Sequence, residues 1–271
     1  MGNDWLLIGF AACVLTGSGL AVALARGERR SLTIAVQAWA GAAALALLVA
    51  GGTCGVLHLG RPERLFGALA NPSTGIFREF VTTGLSGCVL AAYLAALLRG
   101  AEAGTTLMLA RAGAVLALVT AAAVGSAFYM PWRAGWNTIA IVLPYAAWCL
   151  SGAAFAAEAL SCLSDEAQAT DRKWSMGGAL LNPAALAIYV LATVVSDGPA
   201  PVLARVAGGD LTGLFAGTLV FGAVVPLACA LPTRGRLILA LCGFLSIAAG
   251  AVLLQWTLQC LGLPAWQFFA R

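Results

Sequence analysis

CGVLHLGRPERLFGALANPSTGIFREF, residues 54–80, is the stretch that decides how the rest of the chain is read. It is the longest polar interruption in a sequence otherwise written in Ala, Leu, Val and Gly. One apolar run ends at Leu57 and the next begins at Phe80, so His58 and Glu79 sit where the chain leaves and re-enters a membrane. Between them come Arg61, Glu63 and Arg64, a Pro/Ser/Thr turn, and Arg78. His58 is the only histidine in the protein.

A bilayer-spanning helix needs roughly 20 mostly apolar residues. Eight runs reach that length: 5–25, 34–57, 76–98, 107–129, 137–161, 176–195, 211–231 and 236–261. Arg26, Arg29 and Arg30 follow the first run instead of preceding it, so that run is expected to be a retained span and not a signal peptide. The predicted fold class is an all-α integral membrane protein, one domain over residues 1–271. Small residues are dense at 40–46, 91–96 and 121–123. They let membrane helices approach closely, which suits a compact bundle. Pro144, Pro183 and Pro226 fall inside or near spans, where neighbours can satisfy the freed carbonyls. Residues 163–175 (LSDEAQATDRKWS) read as the one clearly hydrophilic loop at the opposite end from His58.

Hydrophobic residues make up 61% of 271 positions and charged residues 10%, with mean hydropathy +0.93. A soluble domain carries about a quarter charged residues, so this composition belongs in lipid. Eight Cys are present without a CxxC pair, seven of them within apolar runs. That pattern reads as small buried packing residues before any redox or metal role. A b-type membrane haem needs paired axial ligands, usually histidines. One His and four Met argue against intrinsic haem, and the scattered Cys argue against an iron–sulfur cluster. No basic cluster exceeds residues 26–30, so nothing supports nucleic-acid binding.

Lys/Arg placement gives an expected orientation. Arg26, Arg29, Arg30, Arg99, Arg111, Arg172, Lys173, Arg234 and Arg236 cluster after spans 1, 3, 5 and 7, nine in all. Arg61, Arg64, Arg78, Arg133, Arg205 and Arg271, six in all, fall on the opposite face. The bias places both termini, and the His58 loop, on the outer side.

His58 can accept a proton or hydrogen-bond a quinone carbonyl near neutral pH; equally, it can close a helix end at the interface. Glu79 returns to the same membrane face. Oxidising a quinol removes two electrons and two protons, which requires a base within hydrogen-bond reach. A carboxylate near a helix N-terminus is favoured by the dipole. Its other reading is an ion pair with Arg78 or Arg64 that pins the loop. Arg61 and Arg64 either hold the loop or face a partner protein, where Arg is enriched. Glu158, about a turn from the end of its span, is a functional candidate or simply reaches the interface. Phe128, Tyr129, Trp132 and Trp136 mark a boundary belt or wall a quinone pocket.

His58-Leu59-Gly60-Arg61-Pro62, the Asn71-Pro72 turn and Arg78-Glu79 together resemble the membrane anchor subunit of the DMSO reductase family. SAFYMPWRAGWNT, residues 126–138, is similar to that family's second recurring segment through Tyr129, Pro131, Trp136 and Asn137. A looser form of the pattern is shared with polysulfide-reductase-type anchors. The resemblance implies a haem-free subunit of the bacterial inner (cytoplasmic) membrane that oxidises menaquinol in anaerobic respiration. Electrons would pass to a four-cluster iron–sulfur, ferredoxin-like subunit and then to a molybdopterin catalytic subunit, so this chain holds no site for the terminal substrate. His58 and Glu79 fall on the family's quinol-site positions and are the expected catalytic pair. Arg64, Arg78 and Tyr129 are expected beside the quinol, and Arg61 and Arg64 toward the partner. The last span departs from relatives, which often carry a Glu and an Arg where this chain has Ala251 and Gln255. A secondary transporter is the rival from another class, opposed by the lack of ionisable residues at mid-span; a purely structural anchor is a third reading.

Overall fold

The computed structural model describes residues 4–28, 32–61, 63–164, 169–207 and 209–262. These residues are helical and turn-forming throughout, with no strand among them. The helices are α1 (Asp4–Glu28), α2 (Ile34–His58), α3 (Arg64–Leu69), α4 (Gly75–Leu98), α5 (Ala103–Ala127), α6 (Val142–Leu163), α7 (Ala169–Asp197), α8 (Pro199–Val206), α9 (Thr212–Leu219), α10 (Val225–Ala230) and α11 (Arg236–Leu261). Among the described residues, eight spans are long and apolar enough to cross a membrane, with α9 and α10 together making the seventh. The chain is therefore read as a multi-pass membrane protein.

Two four-helix groups make up the bundle. In the first, α1 packs on α2, α2 on α4, α4 on α5, and α5 back on α1. In the second, α6 packs on α7, α7 on α10, α10 on α11, and α11 back on α6. They join through α1 against α6 and α11, with α5 also touching α6. Helices α1 and α6 are consequently the most buried spans. Lipid is as apolar as a leucine side chain, so helices associate through close packing and polar contacts instead of water exclusion. The seams show this: a methyl added at Gly17 would lie 3.0 Å from the Ala44 carbonyl oxygen, and one at Gly19 would lie 3.0 Å from that of Cys149. Large side chains such as Trp39 and Val195 are 79% exposed, on the surface that meets lipid.

The break between α9 and α10 has a chemical cause. Pro226 has no N–H to give the carbonyl four residues back, which is Gly222, and the backbone widens into a π turn over Val220–Val224. Asn182 on α7 donates its side-chain amide to the Gly222 carbonyl at 2.7 Å. Ser246 on α11 donates to Phe221 O at 2.8 Å. Gly222 is required there, since a methyl would overlap the Trp148 indole.

The predicted spans agree with the structure apart from their edges. Span 4 starts at Ala103, four residues before the expected 107. The larger correction is at 163–175: the described part is not a loop beyond Ser164, because α7 already begins at Ala169. Its polar residues are helical because they are paired. Asp171 accepts from Arg26 at 3.2 Å, Ser175 donates to Glu158, and Arg172 Nε closes the end of α10 by donating to Ala230 O at 3.0 Å. Residues 165–168 of that stretch lie outside the described residues.

Candidate functional site

Helix α2 ends at His58 in a turn that needs Gly60, whose φ of +68° is reached without strain only by a residue lacking Cβ. Arg61 is exposed in this turn; Pro62 and the side chain of Arg64 lie outside the described residues. After the short helix α3, Asn71 organises the approach to α4. Its side-chain oxygen accepts from Ser73 N at 3.2 Å and Ser73 Oγ at 2.6 Å. Thr74 then caps α4 by accepting from Phe77 N at 3.2 Å, as N-cap threonines do. Gly75 fits tightly against α5, where a methyl would lie 2.8 Å from Ala127 Cβ.

The first turns of α4 send neighbouring side chains in different directions, because a helix rotates about 100° per residue. Arg78 is exposed. Glu79 is turned into the bundle and only 7% exposed. Among the described residues, no hydrogen bond or ion pair reaches its carboxyl. The alternative reading of Glu79 as an ion-pair partner finds no bond to Arg78, which acts on it only as a nearby charge; its Arg64 form falls on a side chain outside the described residues. The partner end of α2 is close: a methyl at Gly55, one turn before His58, would lie 3.2 Å from Phe10 and 3.4 Å from Phe80. His58, half-buried, and Glu79 are thus carried to the same end by helices that pack on one another.

Behind Glu79 lies a polar pair that reading the sequence passed over. Tyr145 on α6 is fully buried and within electrostatic reach of Glu79. Its hydroxyl donates to Gln255 Oε1 on α11 at 2.6 Å. Gln255 is itself fully buried, and its Nε2 has no partner among the described residues. A carboxyl on α4 and a phenol–amide pair between α6 and α11 are therefore buried near one another. Phe128 stacks on Tyr145, rings 5.8 Å apart and 11° from parallel. Both carry a sequence signal, Gln255 as a polar residue and Tyr145 as a lone hydroxyl-bearing ring, each within an apolar run.

A groove of about 850 Å³ opens beside this cluster, lined by Arg78, Thr82, Ser126, Thr138, Ile139 and Leu143 among others. Arg78 borders it; His58, Glu79 and Tyr129 do not. Tyr129 is 44% exposed where α5 ends, and Trp132 is exposed beside it, whereas Phe128 and Trp136 are core residues. The structure thus gathers His58, Arg78 and Glu79 at one end but does not place the predicted set around a single cavity. Glu158, an open question from sequence, is buried and accepts from Arg236 Nε at 3.0 Å and Nη2 at 2.8 Å at the opposite end. Its role is to tie α6, α7 and α11 together. Among the described residues, no cluster of three or more His, Cys, Asp or Glu is arranged to hold a metal. The chain matches no protein-family model and no curated protein.

Proposed function

We propose that this chain is the quinol-oxidising anchor of a DMSO-reductase-like molybdoenzyme complex, in the bacterial inner membrane with both termini outside. The observation that carries the reading is Glu79: a carboxyl turned into the bundle, with no paired cation among the described residues, at the end that also holds the only histidine. A structural ion pair would need a partner within bonding distance. A proton acceptor needs access to a ligand and to a path outward. The groove bordered by Arg78 offers a menaquinol an entry from lipid, and the Tyr145–Gln255 pair, fully buried behind Glu79, places no side-chain atom in that groove. His58 and Glu79 take the two protons, while the two electrons leave through the iron–sulfur subunit docked over Arg61 and Arg64. Arg78 and Tyr129 flank the approach.

Exchanging the two groups tests this. His58→Gln and Glu79→Gln keep shape and hydrogen-bonding capacity but not basicity. Menaquinol-dependent turnover per assembled complex should fall about a hundredfold or more, the scale of general-base catalysis. Reduction of the terminal substrate by a soluble dye should stay normal. Unchanged quinol turnover per complex in both variants would remove the proposed role. A reporter fused after Ala70 should read outside and one after Arg26 inside; the reverse pair would move the docked partner to the other face. A polysulfide-reductase-type anchor shares this site and differs in its partner's substrate.

A further inference from the structure

The opposite end of the bundle holds a second cavity, and we propose that it is a binding site for an anionic phospholipid. A groove of about 600 Å³ lies between α1 and α7 with α6 as its floor, within the roughly 300–1,000 Å³ that ligand sites occupy. Its walls are apolar and small, including Val22, Leu150, Ala154, Gly177 and Leu181. Its polar liners are two cations, Arg26 and Lys173, and beside them stands Trp174.

The shape has a direction. Lys173 and Leu181 are eight residues apart on α7, so the groove descends roughly 12 Å from its charged rim at 1.5 Å per residue. A hydrocarbon chain fills such a slot, and a headgroup meets the rim. The Arg26 guanidinium is held in place at that rim. It bonds Asp171 through Nη2 at 3.2 Å and lies 4.7 Å over the Trp174 ring. Asp171 is buried, with its side chain inaccessible, so it anchors the guanidinium from inside. The Arg26 Nε is buried without a partner among the described residues. Among the described residues of the rim, the cations Arg26 and Lys173 outnumber Asp171 by one charge. A phosphate diester supplies acceptors for the guanidinium and the opposite charge; a neutral ring ligand would leave the two rim cations without a counter-charge from the ligand. Basic pockets between membrane helices bind anionic headgroups on this principle. The site is at the end remote from His58 and does not depend on the quinol reading.

Gly177 gives a clean way to close it. A Cβ added there meets nothing within 4 Å, so Gly177→Leu fills the groove without disturbing α7. Lys173→Gln removes a rim charge from an exposed position. Delipidated full-length protein in detergent would be titrated with phosphatidylglycerol or phosphatidylcholine of identical chains, and bound lipid counted by native mass spectrometry. Wild type should retain phosphatidylglycerol preferentially. Lys173→Gln should lower that preference about fivefold, the value of one cation near an anionic headgroup. Gly177→Leu should lose one bound lipid with helical content unchanged. Equal retention of the two lipids by wild type, or variants indistinguishable from it, would overturn the proposal. Displacement of phosphatidylglycerol by an equimolar menaquinone analogue, equally in wild type and Lys173→Gln, would overturn it in favour of a quinone.

Discussion

The two halves of the bundle each bring loops to the His58 end and treat them oppositely. In the second half, and in the α5–α6 connection that leads into it, the loops are stitched to distant helices. Asp197 accepts from Gly135 N at 2.9 Å and Asn137 Nδ2 at 3.0 Å. Trp136 Nε1 donates to Leu258 O at 2.7 Å, Tyr189 to Gly135 O, and Arg205 to Cys260 O at 2.7 Å. The hydrogen bonds described for the first-half loop are local, as in Gly60 N to Leu57 O at 3.0 Å and the Asn71 turn. Its Arg61 and Glu63 are exposed. The contrast teaches that two stretches of similar polarity do different work. The 126–138 segment is framework; the 59–74 loop presents groups outward.

That division can be broken or sharpened by substitution. Trp136→Ala should have the largest effect, about 3–5 kcal/mol of stability in micelles, as for other buried aromatic deletions, because it strips the Leu258 bond and the edge contact to Phe128 at 5.1 Å. Asp197→Ala removes an acceptor shared by two donors and should cost about 2–4 kcal/mol, from roughly 1.5–3 per charged hydrogen bond partly recovered by water. Tyr145→Phe strands the Gln255 oxygen and should cost about 1–3 kcal/mol, with Gln255→Leu added to it restoring most of the loss. Arg61→Ala and Glu63→Ala should fall within about 0.5 kcal/mol, as exposed substitutions do. Thermal inactivation of each purified variant ranks them. If either loop substitution cost as much as Asp197→Ala, the first-half loop would be framework as well.

Hydropathy carries the spans because length and apolarity are properties of contiguous residues, and lipid enforces both. That is why all eight were legible and why only their edges moved. The start of α7 was not, because Asp171 and Ser175 are helical by virtue of partners on α1 and α6. Pairing between spans leaves no trace in a local window. The same limit hid the buried pair behind Glu79: Tyr145 and Gln255 are 110 positions apart, and nothing in either run says that the two meet. His58 and Glu79 stood out because both lie at membrane boundaries, where a polar residue interrupts a pattern. Which way Glu79 pointed needed the packing of α4 against its neighbours.

Helix α1 is at the centre of the finished bundle yet is synthesised before the helices it packs against. Its surface for α6, and Arg26's partner Asp171, are encoded later, the latter 145 positions on. At roughly 5–20 residues per second, Asp171 is added some 7–29 s after Arg26. During that interval the central helix must wait beside α2, α4 and α5 with one flank facing lipid or an insertion chaperone. Assembly of the second half then buries that flank. A chain cut between α5 and α6 should therefore be cleared by membrane proteases faster than the full one; equal lifetimes would show that the first four spans are self-sufficient.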